Sequence, residues 1–160
     1  MRRLNEIENP TKKILFLGYD ETQTKLIQAL INKNCLVEHI EKKVDAISGY
    51  DFVVSYGYGH ILKRNVIEGF GCPIFNLHIS YLPYNRGSHP NFWSFVENTP
   101  KGVTIHYLDE GIDTGDILIQ EKVEFNIKKE TLVSSYEQLQ LLILNLLKNN
   151  WEDIKIRKIK

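Results

Sequence analysis

The stretch Lys-Lys-Ile-Leu-Phe-Leu-Gly-Tyr, residues 12–19, decides the fold. Its apolar residues run on without alternation and stop at a glycine, which is typical of a strand buried on both faces. Strands of this kind belong to parallel sheets that carry helices on both faces. The stretch therefore predicts an α/β fold.

The chain beyond this strand alternates between helix-like and strand-like segments. Apolar residues recur at helical spacing over residues 26–31, after a candidate cap at Asp20 or Thr22. Further strands are predicted at 35–40, 51–56, 73–79, 103–108 and 117–125, and further helices at 61–70, 90–96 and 131–149. We expect a three-layer fold, a mostly parallel twisted sheet with helices on both faces, built from residues 1–160 as a single domain.

The charge balance, the apolar runs and the cysteines limit the partners and the location that the sequence suggests. The 20 Lys and Arg residues balance the 20 Asp and Glu residues, so no net field favours nucleic acid or a membrane surface. The most apolar run, residues 139–147, is shorter than the roughly 20 residues of a membrane span, and the charged first residues do not resemble a secretory signal. Cys35 and Cys72 lack a Cys-x-x-Cys spacing, so we expect buried thiols and a cytoplasmic location.

Asn76 and His78 stand two residues apart in the predicted strand at 75–79. Alternate side chains of a strand point to the same face, so an amide and an imidazole would lie side by side. An amide can stabilise the oxyanion of a tetrahedral intermediate while an imidazole exchanges a proton, as acyl transfer requires. The alternative is that both side chains only bond backbone groups at a strand end.

Two loops after predicted strands carry further polar side chains. Residues 80–87, Ser-Tyr-Leu-Pro-Tyr-Asn-Arg-Gly, either line a pocket with aromatic rings and an arginine or form a solvated turn. Residues 106–116 crowd four carboxylates around glycines. Asp113 could pair there with a protonated histidine and favour its charged form, although Asp and Gly are also ordinary residues of a connecting loop.

Three ordered motifs together resemble the formyltransferase family that uses 10-formyltetrahydrofolate. They are Phe-Asn-Leu-His-Ile-Ser-Tyr-Leu-Pro at 75–83, Arg-Gly at 86–87, and Gly-Val-Thr-Ile-His-Tyr-Leu-Asp-Glu-Gly-Ile-Asp-Thr-Gly-Asp at 102–116. The resemblance covers residues 14–125 and implies a Rossmann-like formyltransferase fold. It also implies that an amine attacks the formyl carbonyl, that Asn76 and His78 stabilise the oxyanion, and that Asp113 orients or charge-balances His78 and relays the proton. No metal is implied.

The resemblance also implies where the folate co-substrate binds. The stretch Tyr-Gly-Tyr-Gly-His-Ile-Leu at 56–62 resembles the part of the family that grips the pterin, and two loops resemble the other walls. The implied folate-binding residues are Tyr58, Gly59, His60, Ile61, Leu62, Ser80, Tyr81, Leu82, Pro83, Asp109, Glu110 and Ile112. His106 matches a position near the site, where we expect structural support.

The acceptor is expected to be the primary amine of a nucleotide-linked amino sugar. The segment at 86–93 resembles the sugar-modifying branch most, which makes Tyr84, Arg86 and Trp93 the implied acceptor-binding residues; Phe92 and Trp93 are alternatively core residues of a short helix. A glycinamide ribonucleotide acceptor is less suited, because Asp20 and Glu21 follow the first strand where a phosphate would lie. The tRNA-directed members resemble this chain only in their catalytic half.

Three further alternatives stay open. One is a metal-dependent hydrolase, although the histidines show no His-x-x-x-His spacing. Another is a non-catalytic module that binds folate or a nucleotide sugar. The third concerns the oligomeric state. The predicted helix at 131–149 is apolar on more than one face, so it could pack against a second copy in a homodimer as well as against its own sheet. The tail after Trp151 indicates nothing.

Overall fold

The computed structural model describes residues 1–156. Within them, strands and helices follow one another in the order β1 (Arg2–Arg3), β2 (Lys12–Gly18), α1 (Leu26–Asn32), β3 (Cys35–Ile40), β4 (Phe52–Tyr56), α2 (Arg64–Phe70), β5 (Ile74–His78), α3 (Pro90–Val96), β6 (Lys101–Tyr107), β7 (Ile117–Val123) and α4 (Leu132–Lys155).

The strands form one seven-stranded sheet in the order β1-β3-β2-β4-β5-β6-β7. β2 pairs in parallel with β3 and β4, and β4 pairs in parallel with β5, whereas β1 with β3 and β6 with β7 are antiparallel. The apolar residues 14–17 of β2 are fully buried, as expected of a strand inside a mostly parallel sheet whose two faces are both covered. The predicted α/β fold with a mostly parallel sheet is confirmed.

The chain divides into two compact units. The first comprises Met1–Asn76 with Tyr107–Glu110, and the second comprises Leu77–His106 with the chain from Gly111 onward. The division falls inside β5, so Asn76 belongs to the first unit and His78 to the second. That residues 1–160 act as one catalytic domain stays a prediction.

The core of the first unit is completed by a segment without a helix, residues 41–49. Val44 of this segment is buried in the apolar cluster. The Tyr58 hydroxyl holds the segment in place, since it accepts the Val44 N–H at 3.0 Å and donates to the Lys42 carbonyl at 3.1 Å. The core side chains of this cluster are Leu15, Leu17, Ile40, Val44, Tyr50, Val53, Leu62, Phe70 and Ile74.

The second unit contains the β6–β7 hairpin and the helices α3 and α4. A capping box begins α4: the Thr131 hydroxyl accepts the Ser134 N–H at 3.0 Å, and the Ser134 hydroxyl accepts the Thr131 N–H at 2.9 Å. The Asn91 side chain ties α3 to α4, because its amide donates to the Leu132 carbonyl at 3.2 Å and to the Ser135 hydroxyl at 3.0 Å.

Several predicted boundaries are wrong by a few residues. The Asp20 carboxylate caps a turn through the Thr22 N–H, 2.8 Å away, and the N-cap of α1 is Lys25, so the predicted cap at Asp20 or Thr22 is wrong although the helix begins at Leu26 as expected. Residues 61–63 precede α2, which begins at Arg64. α4 continues past residue 149 to Lys155, because buried side chains further along extend its apolar face. Of the predicted tail, residues 157–160 lie outside the described residues.

Strand β1 and the burial of Cys72 differ from what the sequence predicted. The strand β1 was not predicted, since its residues Arg2 and Arg3 are charged, yet it pairs with β3. Cys35 is buried as expected, whereas Cys72 is only half-buried. No helix among the described residues is long and apolar enough to cross a membrane.

Candidate active site

Strand β5 carries the first two predicted catalytic side chains. Asn76 is half-buried and lies in register with Ser55 of β4. His78 ends the strand and is 8% exposed. Because the two residues occupy alternate positions of one strand, their side chains project from the same face of it.

The imidazole of His78 is held through its nitrogen Nε2. This atom lies 3.0 Å from the Asn85 carbonyl oxygen and 3.5 Å from Asp113 Oδ2. Both partners are acceptors, so Nε2 carries the hydrogen, and Nδ1 is the ring nitrogen that can take up a proton.

Burial lowers the pKa of His78 below the ordinary value of 6.5, although the Asp113 charge and the Asn85 carbonyl raise it. His78 is therefore neutral at neutral pH. Asp113 thus favours the charged form of His78, as expected, but desolvation of the ring has the larger effect.

The Asp113 carboxylate joins two imidazoles and one backbone amide. Its Oδ2 accepts the Gly87 N–H at 2.8 Å, and its Oδ1 lies 3.4 Å from Nε2 of His106. Burial raises the pKa of Asp113, but the His106 hydrogen bond, the nearby His78 and the Gly87 amide outweigh that effect and hold the pKa below 3.8. Asp113 is thus an ionised carboxylate at neutral pH, 3.5 Å from the His78 ring in the second unit.

The two loops that contain Asp113 and Gly87 adopt unusual backbone conformations at these residues. Asp113 has φ 52° and Gly87 has φ 86°, both in the left-handed region. Such a conformation costs an L-residue with a Cβ roughly 1–2 kcal/mol, which glycine avoids and which Asp tolerates better than most residues. A Cβ at Gly111 would lie 1.9 Å from the Thr114 hydroxyl, so a side chain at this position would have to displace that of Thr114.

Three members of this cluster were not among the predicted catalytic residues: Asn85, Gly87 and His106. His106 was expected to give structural support, and the structure places it, 1% exposed, directly on Asp113. Asn85 and Gly87 both have positive φ values, and the Asn-Arg-Gly sequence indicates that turn chemistry. What the sequence did not indicate is which backbone atoms of the turn would face His78 and Asp113.

Part of the predicted folate site lies in the first unit. Tyr58 is half-buried. Its hydroxyl forms hydrogen bonds with the backbone of residues 42 and 44, so it stabilises this segment of the protein. The His60 ring packs edge-on against Tyr58 at a centroid distance of 5.2 Å. Arg64 pairs with Glu110 at 3.2 Å. The predicted residues Gly59, His60, Ile61, Asp109 and Glu110 are exposed in this unit, and Leu62 is buried.

The other predicted folate residues lie in the second unit. Ser80 and Leu82 are buried there, Tyr81 is half-buried, and Pro83 follows a cis peptide bond and is exposed. Ile112 is also exposed. The side chains that face outward from this loop are therefore Tyr81 and Pro83, while those of Ser80 and Leu82 face the interior.

The predicted acceptor residues are all exposed in the second unit. Tyr84 and Arg86 lie on the loop after β5, and Trp93 lies on α3. Phe92 and Trp93 are 44% and 45% exposed, so the alternative that they are core residues is wrong. The buried side of α3 consists instead of Asn91 and Ser94.

Among residues 1–156, no group of three or more His, Cys, Asp or Glu side chains has the arrangement of a metal site. The contacts of His78 and His106 with Asp113 are those of hydrogen-bonded side chains.

The family model for formyl transferases matches residues 12–147, most of the chain. The chain belongs to the formyl transferase family. The matched residues of this formyl transferase include Asn76, His78 and Asp113, together with His106 on β6.

This formyl transferase is also similar to a solved structure, that of the formyltransferase PseJ from Anoxybacillus kamchatkensis in complex with UDP-4,6-dideoxy-4-formamido-L-AltNAc and tetrahydrofolate. The two chains are 41% identical, and they superpose with a TM-score of 0.84 over 92% of this chain and 79% of PseJ.

Curated relatives of this formyl transferase include two methionyl-tRNA formyltransferases. The one from Syntrophus aciditrophicus is 45% identical over 75 residues, 45% of this chain. The one from Fusobacterium nucleatum is 33% identical over 128 residues, 79% of this chain. The chain spans only 23% and 39% of the lengths of these two relatives.

Proposed function

We propose that this chain transfers a formyl group from 10-formyltetrahydrofolate to the primary amine of a nucleotide-linked amino sugar. The observation that carries the proposal is the 41% identity to PseJ, which extends over 92% of this chain and 79% of PseJ and thus includes most of both molecules. PseJ was solved with a formamido sugar nucleotide and with tetrahydrofolate, the products expected of such a transfer.

The proposed reaction begins when the acceptor nitrogen forms a bond to the formyl carbon. The carbonyl oxygen then becomes an oxyanion, which the amide of Asn76 stabilises and which Nδ1–H of His78 also stabilises once that nitrogen has taken up the proton of the amine. Collapse of the tetrahedral intermediate breaks the bond between the formyl carbon and N10 of the folate. The proton that the amine loses passes to His78 and is returned to N10 as it leaves, so no other reactant is needed.

The state of His78 fits this proton transfer. Burial keeps the ring neutral at neutral pH, so that its Nδ1 can accept the proton of the attacking amine. Asp113 lies 3.5 Å from Nε2 and stabilises the imidazolium that this step forms. The electrostatic stabilisation by the Asp113 carboxylate is therefore strongest after proton uptake, when the His78 ring carries a positive charge.

The binding assignments belong to the same proposal. The exposed loop residues Gly59, His60, Ile61, Asp109 and Glu110 of the first unit, and Tyr81, Pro83 and Ile112 of the second, are suited to contact a folate. Tyr84 and Trp93 offer exposed rings on which a base or sugar can stack, and the exposed Arg86 suits a diphosphate. Three further residues of the predicted folate site have buried side chains and would support the binding loops from the interior: Leu62, Ser80 and Leu82.

A glycinamide ribonucleotide acceptor suits the first unit poorly. The Asp20 carboxylate accepts the N–H groups of Thr22 at 2.8 Å and of Gln23 at 3.2 Å. These amides would otherwise be available to a phosphate after β2, and the carboxylate repels a phosphate as well.

A second candidate function is formylation of methionyl-tRNA, because the named curated relatives carry out that reaction and share up to 45% identity with a part of this chain. A third is binding of folate or a nucleotide sugar without turnover. That the protein is cytoplasmic, forms a homodimer and binds no nucleic acid remains predicted.

One assay separates these candidates. Purified protein is given 10-formyltetrahydrofolate with one acceptor at a time: UDP-4-amino-4,6-dideoxy-L-AltNAc, which is the sugar of the PseJ complex without its formyl group, a dTDP-linked amino sugar, glycinamide ribonucleotide, or methionyl-tRNA. We expect release of tetrahydrofolate only with an amino-sugar nucleotide. Turnover only with the ribonucleotide or the tRNA would overturn the substrate class, and folate binding without turnover on any acceptor would favour the binding module.

A further inference from the structure

A buried polar contact in the second unit fixes the loop at residues 80–84, which the proposed function places against the folate. Thr104 of β6 and Gln120 of β7 face each other across the hairpin as register partners. Thr104 is fully buried and Gln120 is half-buried. Neither residue was singled out from the sequence.

The Thr104 hydroxyl uses its whole hydrogen-bonding capacity on this loop and on its partner. It donates to the Ser80 carbonyl at 2.8 Å and accepts the Leu82 N–H at 3.2 Å. Its second lone pair accepts from Gln120 Nε2 at 3.3 Å, and the same nitrogen donates to the Leu82 carbonyl at 3.1 Å. One hydroxyl hydrogen and two lone pairs are all that a threonine offers.

The consequence is that both backbone polar groups of Leu82 are held by β6 and β7. Within the loop, the Ser80 hydroxyl donates to the Tyr84 carbonyl at 2.9 Å, which closes the turn. Because Ser80 and Leu82 are anchored inward, the alternate side chains of Tyr81 and Pro83 face outward. The contact therefore sets the orientation of the groups available to a ligand.

We propose that Thr104 and Gln120 are positioning residues for folate binding, which they support by holding the loop at 80–84 in its ligand-ready conformation without touching the ligand. This inference rests on the proposed function. Its chemical basis is that a buried donor or acceptor left without its partner costs enough free energy to shift a loop.

The test uses variants that keep shape and remove hydrogen bonds. Thr104→Val removes all three bonds of the hydroxyl, Gln120→Met removes the amide, and Thr104→Ser keeps the hydroxyl. The measurements are KM for 10-formyltetrahydrofolate, kcat, and Kd for 5-formyltetrahydrofolate by calorimetry. The control is Ser135→Ala, which removes a fully buried hydroxyl of α4 that bonds elsewhere in the second unit.

We expect Thr104→Val to raise KM and Kd about 5- to 30-fold, Gln120→Met to raise them less, and Thr104→Ser to restore them to within about twofold of the wild type. The double variant should lose less than the product of the single losses, because the two residues share one network. Wild-type folate affinity in both Thr104→Val and Gln120→Met, or an equal loss in Ser135→Ala, would overturn the inference.

A second readout needs no activity. Hydrogen exchange of the Leu82 amide should be faster in Thr104→Val than in the wild type, and an unchanged rate would overturn the inference. If the wild type neither binds 5-formyltetrahydrofolate nor transfers a formyl group, the proposed function fails. The exchange experiment then still decides whether Thr104 holds the loop.

Discussion

Oδ2 of Asp113 lies 3.5 Å from Nε2 of His78, and the same oxygen accepts the N–H of Gly87. A carboxylate held in this way is aligned with the imidazole before any substrate arrives. Such prior alignment matters for catalysis, because no free energy is then needed to orient the groups during the reaction.

Replacing either Asn76 or His78 by alanine should lower kcat about 10²- to 10³-fold, since each change removes one group from the oxyanion or the proton path. Initial rates and circular dichroism check the activity and the fold. Asn149→Ala, on an exposed position of α4, is the matched control and should keep the wild-type rate. Near wild-type rates in both site variants would refute their assignment.

The acid side of the pH profile should report His78. Because burial lowers its pKa, kcat/KM should fall only at a pH below 6.5. Asp113 raises the pKa of His78, so Asp113→Asn should move the remaining acid limb to still lower pH while reducing the rate. A shift of that limb to higher pH would contradict the described electrostatics.

Folding stability should depend on pH through the same ring. The pKa of His78 is lower in the folded state than its ordinary 6.5, so the unfolded chain takes up the proton first as the pH falls. The free energy of unfolding should therefore be at its full value above pH 6.5 and decrease below it, down to the folded pKa. Urea unfolding of the wild type and of His78→Gln measures this; equal pH slopes would count against a depressed pKa.

His106 should act through Asp113. His106→Leu removes the hydrogen bond to Oδ1, the main influence that lowers the pKa of Asp113, so this pKa should rise and kcat should fall about tenfold. His106→Gln retains an N–H donor and should recover part of both. Carbon NMR titration of Asp113 separates this effect from a loss of packing alone, which would leave the carboxyl pKa unchanged.

Gly87→Ala should lower the free energy of unfolding by about 1–2 kcal/mol, because φ 86° suits only glycine and the amide of this residue bonds Asp113. Gly59→Ala is the matched comparison. Nothing lies within 4 Å of a Cβ there, so its stability should change by less than about 0.5 kcal/mol. Equal effects in the two variants would mean that the backbone of Gly87 is not constrained.

The strand pattern of the sequence was sufficient to predict the sheet and the placement of Asn76 and His78 on one strand. The uninterrupted apolar run of β2 indicates burial on both faces, and the spacing of Asn76 and His78 places both on one face of β5, because both inferences need only the period of a strand. Both are local properties, which a single sequence contains.

What the sequence could not provide depends on contacts between distant segments. The ladder of β6 and β7 shifts its register between Ile105 and His106, and such an irregularity has no clear sequence signal. Trp93 seemed equally suited to a core, because aromatic residues usually pack inside. Its helix instead buries Asn91 and Ser94, polar residues whose burial depends on partners in α4 and β6 that no periodicity indicates.

The shortest strand of the molecule has a practical consequence. Arg2 and Arg3 cover the outer side of β3 with two antiparallel partners, and Arg3 also pairs with Glu38. Deleting these residues would leave the backbone of β3 open to strands from other molecules. Variants that lack these two residues are therefore expected to aggregate sooner than the chain that contains them.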